Sequence, residues 1–172
     1  MSRRCPSTFL ARLLDPFTFC LCTAHAFALE PAEIGAVDPA FGPRVAEAVA
    51  EAAARLDTMP CALVLSDFVD TRTGRTLAEN LALTGRTASE HVLSRLFRRP
   101  SSVRPFGGRR VFAYTSPSSP VVFLCRDDLL RVQNQTRLVT AVVIHEILHT
   151  LGLQEDSPSS AAVTERVLAR CF

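Results

Sequence analysis

Residues 136–151 carry the pattern that most limits how this chain can fold. The stretch TRLVTAVVIHEILHTL is apolar nearly all round a helix, so it belongs deep in a core. Its first half, residues 138–144, is β-branched and alone would pass for a buried strand. The length of the run and the four-residue spacing of His145 and His149 decide for a helix, with Thr136 as its cap. Histidines four apart share one helix face. Burying two imidazoles and the Glu146 carboxylate in such a helix is costly unless they are paired or hold a metal.

The residue types around that pair suit one zinc ion. Both imidazoles reach a common point, and imidazole nitrogen is a preferred zinc donor. Glu146 stands beside them as a general base for a water on the metal. Gly152 permits the backbone turn that ends the helix. Glu155 then arrives where a third ligand would close the protein part of the site, followed in rank by Asp156, Glu165 and His91. The bland alternative makes both histidines hydrogen-bonded core residues, which is strained for two of them flanking a glutamate.

The chain has 172 residues, 48% hydrophobic and 21% charged, enough for one domain with a sizeable core and unlike a disordered segment. Its nineteen basic residues are all Arg, and the net charge is +2. That balance gives no argument for nucleic acid as a partner. Residues 1–28 read as a signal peptide: Arg3 and Arg4 precede apolar stretches, and small residues at Ala24, Ala26 and Ala28 offer cleavage after Ala26 or Ala28. Asp15-Pro16 interrupts the apolar region, which is too short to span a bilayer. Export is therefore expected, with a cytoplasmic location as the alternative, and residues 29–172 are the expected domain. Cys61, Cys125 and Cys171 would remain, which suggests one disulfide and one free thiol in an oxidising compartment.

The rest of the chain reads as an α+β arrangement. Helices are expected at 43–57, 77–83, 87–97 (with Thr87 and Glu90 as a capping box) and 161–170. Residues 61–68 read as a strand, with a buried helical turn as the alternative. Asp70 to Gly74 is a turn signal. Residues 100–108 are the longest loop, and 110–115 and 120–125 are paired or adjacent strands. A short helix or turn follows at 127–132.

His145, Glu146, His149 and Gly152 resemble the signature of the zincin metallopeptidases, nearest in spacing to the metzincins, with Glu155 where those carry a third histidine. The stretch from His145 to Cys171 also resembles small bacterial proteins with a zincin-like helix. The resemblance implies a zincin-like single domain, a small sheet packed on the buried metal-binding helix, and hydrolysis of a peptide or protein substrate. It specifies no substrate. One departure bears on the cleft: metzincins place a methionine turn after the third ligand, whereas Met59 is the last methionine and seventeen residues follow Glu155. Half of the usual cleft is expected to be missing.

Tyr114, the single tyrosine, is a candidate oxyanion donor, although a packed strand aromatic is the plainer reading. One of the two strands before the motif could offer its edge to an extended peptide. A Cys125–Cys171 disulfide would tie the last helix across the metal-binding helix, with Cys61 as the rival partner. Asn134-Gln135-Thr136 matches a glycosylation acceptor, but capping by Thr136 is plainer. Asp67 and Asp70 suit turn chemistry better than calcium. Three functions follow in order: an exported zinc metallopeptidase, a zinc-stabilised binding or structural domain without activity, and a cytosolic protein without metal.

Overall fold

The computed structural model describes residues 37–101, 111–155 and 158–172. The expected signal peptide, most of the loop at 100–108, Arg110 and Asp156 lie outside the described residues. Helix α1 (Pro43–Leu56) opens on proline, whose missing N–H is one the first turn would leave unpaired anyway. Its inward face carries Val45, Ala48, Val49, Ala52, Ala53 and Leu56, the three- and four-residue spacing of a single stripe. The alanines let neighbouring helices approach closely.

Residues Cys61–Leu65 form a 3-10 helix rather than the strand expected at 61–68. A run this short has no periodicity to separate the two, and its alternative as a buried helical turn is the one adopted. The turn after Asp70 joins β1 (Val69–Asp70) to β2 (Arg75–Thr76) as an antiparallel pair. Helices α2 (Leu77–Leu83) and α3 (Ala88–Leu93) each begin in a capping box, Thr76 with Glu79 and Thr87 with Glu90. Each box satisfies two otherwise orphaned N–H groups.

Helix α3 stops at Leu93, short of the expected end at 97. The chain turns extended as β3 (Leu96–Arg98), and Phe97 is fully buried. With β4 (Ala113–Thr115) and β5 (Val121–Leu124) it makes a three-stranded sheet in the order β3-β5-β4, parallel between β3 and β5 and antiparallel between β4 and β5. Helix α4 (Arg126–Val132) leads into α5 (Thr136–Thr150), which touches α1, α4, α6 and β4. Every residue of α5 from Val139 to Thr150 is buried, as an apolar helix with no polar face requires. Gln135 occupies the cap position and makes no side-chain cap bond. Thr136 is thus the first helical residue, and the capping expected of it is not made. Thr140 donates to Glu51 at 3.1 Å, a polar link between α5 and α1.

The last helix, α6 (Ser160–Cys171), is capped by Ser159 and buries Val163, Val167 and Cys171. It packs against the 3-10 helix as well as α5, which brings the Cα atoms of Cys171 and Cys61 to 4.3 Å and closes a disulfide between them. The expected Cys125–Cys171 bond is therefore not formed, and Cys125 is a free thiol. The tie runs from α6 to the segment after α1. Arg55 reinforces it by donating to the Cys171 carbonyl and stacking on Phe172 at 4.2 Å. The architecture is α+β with a small sheet and a C-terminal helix. Among the described residues no helix is long and apolar enough to cross a membrane.

Candidate metal centre

The last two turns of α5 place His145, Glu146 and His149 in the core, each 5% exposed or less. The hydrogen bonds behind the two imidazoles define their tautomers. His149 Nδ1 lies 2.9 Å from the carbonyl oxygen of Leu153. A carbonyl only accepts, so Nδ1 carries the proton. His145 Nδ1 lies 2.9 Å from the Thr164 hydroxyl, which itself donates to the Ser160 carbonyl at 3.1 Å. The Thr164 oxygen is then an acceptor, and His145 Nδ1 is protonated as well.

Both Nε2 atoms are left as bare lone pairs, and they face each other at 3.1 Å. Two acceptors cannot hydrogen-bond to one another. The arrangement needs a cation between them, either a proton or a metal. Burial and the neighbouring His149 hold the pKa of His145 down to about 4, which disfavours the proton at neutral pH. The donor set fits zinc: imidazoles with Nδ1–H groups fixed by outer partners and Nε2 atoms presented together.

Glu146 has one carboxylate oxygen, Oε2, buried without a hydrogen-bond partner. Burial, with the Glu155 charge adding to it, pushes its pKa up to about 8. A cation at the two Nε2 atoms would oppose both effects and favour the ionised form.

Of the described candidates for third ligand, Glu155 is the one brought to the pair. Its Oε1 is 3.6 Å from His149 Nε2, on a side chain 57% exposed. Among the described residues no group of three or more His, Cys, Asp or Glu side chains converges tightly enough to enclose an ion. The two histidines are thus preorganised, and Glu155 is adjacent rather than closed over them. Glu165 is exposed on α6, where the neighbouring Thr164 makes the contact to His145. His91 is spent elsewhere: its Nε2 lies 2.9 Å from the Thr150 hydroxyl. Asp156 lies outside the described residues.

Tyr114 stacks on Phe123 with ring centroids 5.1 Å apart. Strand alternation puts it on the face opposite buried Ala113 and Thr115. That stacking is the packing the plainer reading expects of a strand aromatic. Asp70 uses its carboxylate in the turn, accepting from the Arg72 backbone N–H at 3.0 Å, and Asp67 pairs with Arg166 and Arg170. Neither arrangement calls for calcium.

Sequence reasoning missed the groups behind the site. Thr164 is nineteen residues from His145, and a backbone carbonyl such as Leu153 has no sequence signature. Asn80 was also missed; it donates to the Leu151 carbonyl at 2.9 Å and holds the turn that follows α5. Compared with known proteins, the chain matches no family model, no curated protein and no solved structure.

Proposed function

We propose that this chain is an exported zinc metallopeptidase in which His145, His149 and Glu155 hold one zinc ion and Glu146 is the general base. The carrying observation is the pair of bare Nε2 atoms 3.1 Å apart, each imidazole fixed from behind. A zinc ion there supplies Lewis acidity, acidifying water and polarising a peptide carbonyl. Glu146, buried with a free carboxylate oxygen, takes the proton from the attacking water and delivers it to the leaving amine. Its exclusion from solvent strengthens that electrostatic role. The Leu153 carbonyl and Thr164 hydroxyl keep both imidazoles in register while charge develops. Among the described residues β4 is an edge of its sheet and touches α5, so it is the strand suited to pair with an extended peptide. The central β5 is not. The Cys61–Cys171 disulfide supports an oxidising compartment and hence export.

The exposure of Glu155 favours a second reading, a zinc-stabilised domain that binds without cutting. Metal analysis and hydrolysis assays on wild type and Glu146→Gln separate the two. The peptidase reading expects one zinc in each protein and cleavage of an unfolded substrate by wild type alone. One zinc with no cleavage by wild type across broad substrates supports the second reading. Absence of zinc from both removes the metal centre.

A further inference from the structure

Beside α5's last turn lies a cleft of about 350 Å³ lined by Arg72, Asn80, His91, Arg95, Ser118 and Thr150, among others. Its volume is at the small end of the range for organic ligands. Arg95 is half-buried, yet among the described residues no carboxylate lies within salt-bridge distance of it. It donates to carbonyls of His91 and Ser119 and to the Ser94 hydroxyl. Arg86, equally without a carboxylate partner, donates to that same hydroxyl at 3.1 Å. Two guanidinium groups thus converge on one neutral oxygen, an arrangement that repels unless an anion sits nearby.

Another guanidinium lines the same cleft. Arg72 reaches the cleft between the Asp70 carboxylate at 3.5 Å and the Ser118 hydroxyl at 3.4 Å. Asp70, the acid in the lining, is already engaged by Arg72 and Asn80. Ser118 is the described non-glycine residue at positive φ, 65°, and its N–H is bonded to the His149 carbonyl at 3.3 Å. Such strain is kept where the surrounding structure over-determines it, which is common at ligand sites.

The geometry points to a second binding site, for a small organic oxyanion whose carboxylate or phosphate group is clamped by Arg95 and Arg72, with Arg86 behind Arg95. Planar guanidinium forks match either group in a bidentate manner. The site is distinct from the histidine pair and does not depend on the metal reading.

Calorimetric titration at fixed ionic strength with succinate and with inorganic phosphate tests it and distinguishes the two chemistries. At least one probe is expected to bind with a submillimolar Kd. Arg95→Gln should weaken it by about tenfold or more, since each charge-assisted bond is worth roughly that factor. Arg86 is exposed, and among the described residues its guanidinium bonds to the Ser94 hydroxyl, so Arg86→Gln should keep the fold and still weaken binding severalfold. Failure of both probes to bind at about 10 mM, or affinity equal to wild type in both arginine variants, would each overturn the proposal.

Discussion

The Asp70 carboxylate lies so close to Gly152 that a Cβ on that glycine would stand 2.8 Å from Oδ2 and 3.0 Å from Cγ. Asp70 cannot swing away cheaply, because it is 2% exposed and holds the Arg72 backbone N–H and the Asn80 amide. Gly152 also sits at φ +113°, where side chains are strained. The glycine after α5 is therefore required twice, once by its own backbone and once by a neighbour eighty-two residues earlier in sequence. Gly152→Ala is expected to destabilise the protein by roughly 3 kcal/mol or more. Gly85, at φ +68° with open space around it, is the control, and Gly85→Ala should cost about 1 kcal/mol. Urea unfolding of the two variants measures the difference; equal costs would mean that the Asp70 contact is not a constraint.

Local chemistry was the legible part of this fold. Thr87 with Glu90 announces its helix within four residues, and that box is made as read; the matching box of Thr76 with Glu79 carries the same local signal. The helix bearing His145 and His149 was readable because fifteen residues are long enough to separate helix from strand. The misreadings lie where a distant partner decides. Leu96–Arg98 leaves the helical pattern because β5, about twenty-five residues on, offers it a parallel ladder. Cys61 pairs with Cys171 across 110 residues, a closure no spacing rule anticipates. In the candidate metal centre the pairing of His145 and His149 on one helix face was legible from the i, i+4 spacing, while Thr164, Leu153 and Asn80 depend on how α6 and α2 dock.

The disulfide closes a loop long enough for its loss to matter. With Cys61 and Cys171 separated by 110 positions in sequence, chain entropy predicts a contribution of roughly 4–5 kcal/mol. Cys171→Ser should therefore lower the urea midpoint strongly, and Cys125→Ser should change it little because Cys125 is a free thiol. Non-reducing peptide mapping checks the pairing directly. A peptide linking Cys125 to Cys171 would sink it.

Acid should destabilise the metal-free protein through His91. Its pKa is held at about 4 by burial first and then by the charges of Arg95 and Arg86. The unfolded chain binds a proton near pH 6.5 that the folded state refuses until about 4. Stability is thus fully present above about pH 6.5 and is lost as pH falls toward about 4, by roughly 3 kcal/mol for this residue. His145 has the same sign and window. Chemical denaturation across that range should give a slope in wild type that His91→Gln cuts by about half. An unchanged slope would show that His91 ionises without penalty.

Thr164 offers the sharpest test of the proposed metal centre short of replacing one of its histidines. Its hydroxyl accepts from His145 Nδ1 and donates to the Ser160 carbonyl. Thr164→Val keeps the shape but removes that acceptor, leaving Nδ1–H unpaired and the imidazole free to turn or to change tautomer. The corresponding partner of His149 is a backbone carbonyl, beyond the reach of side-chain substitution. Outer partners of this kind are worth about 10–100-fold in metal affinity. Thr164→Val should lose zinc to a competing chelator at about a tenfold lower chelator concentration than wild type, with little change in the unfolding midpoint of the metal-free protein. Glu165→Gln, one residue along and exposed, should bind zinc as wild type does. If Glu165→Gln loses affinity and Thr164→Val does not, the third ligand comes from α6 and Glu155 gives up that role.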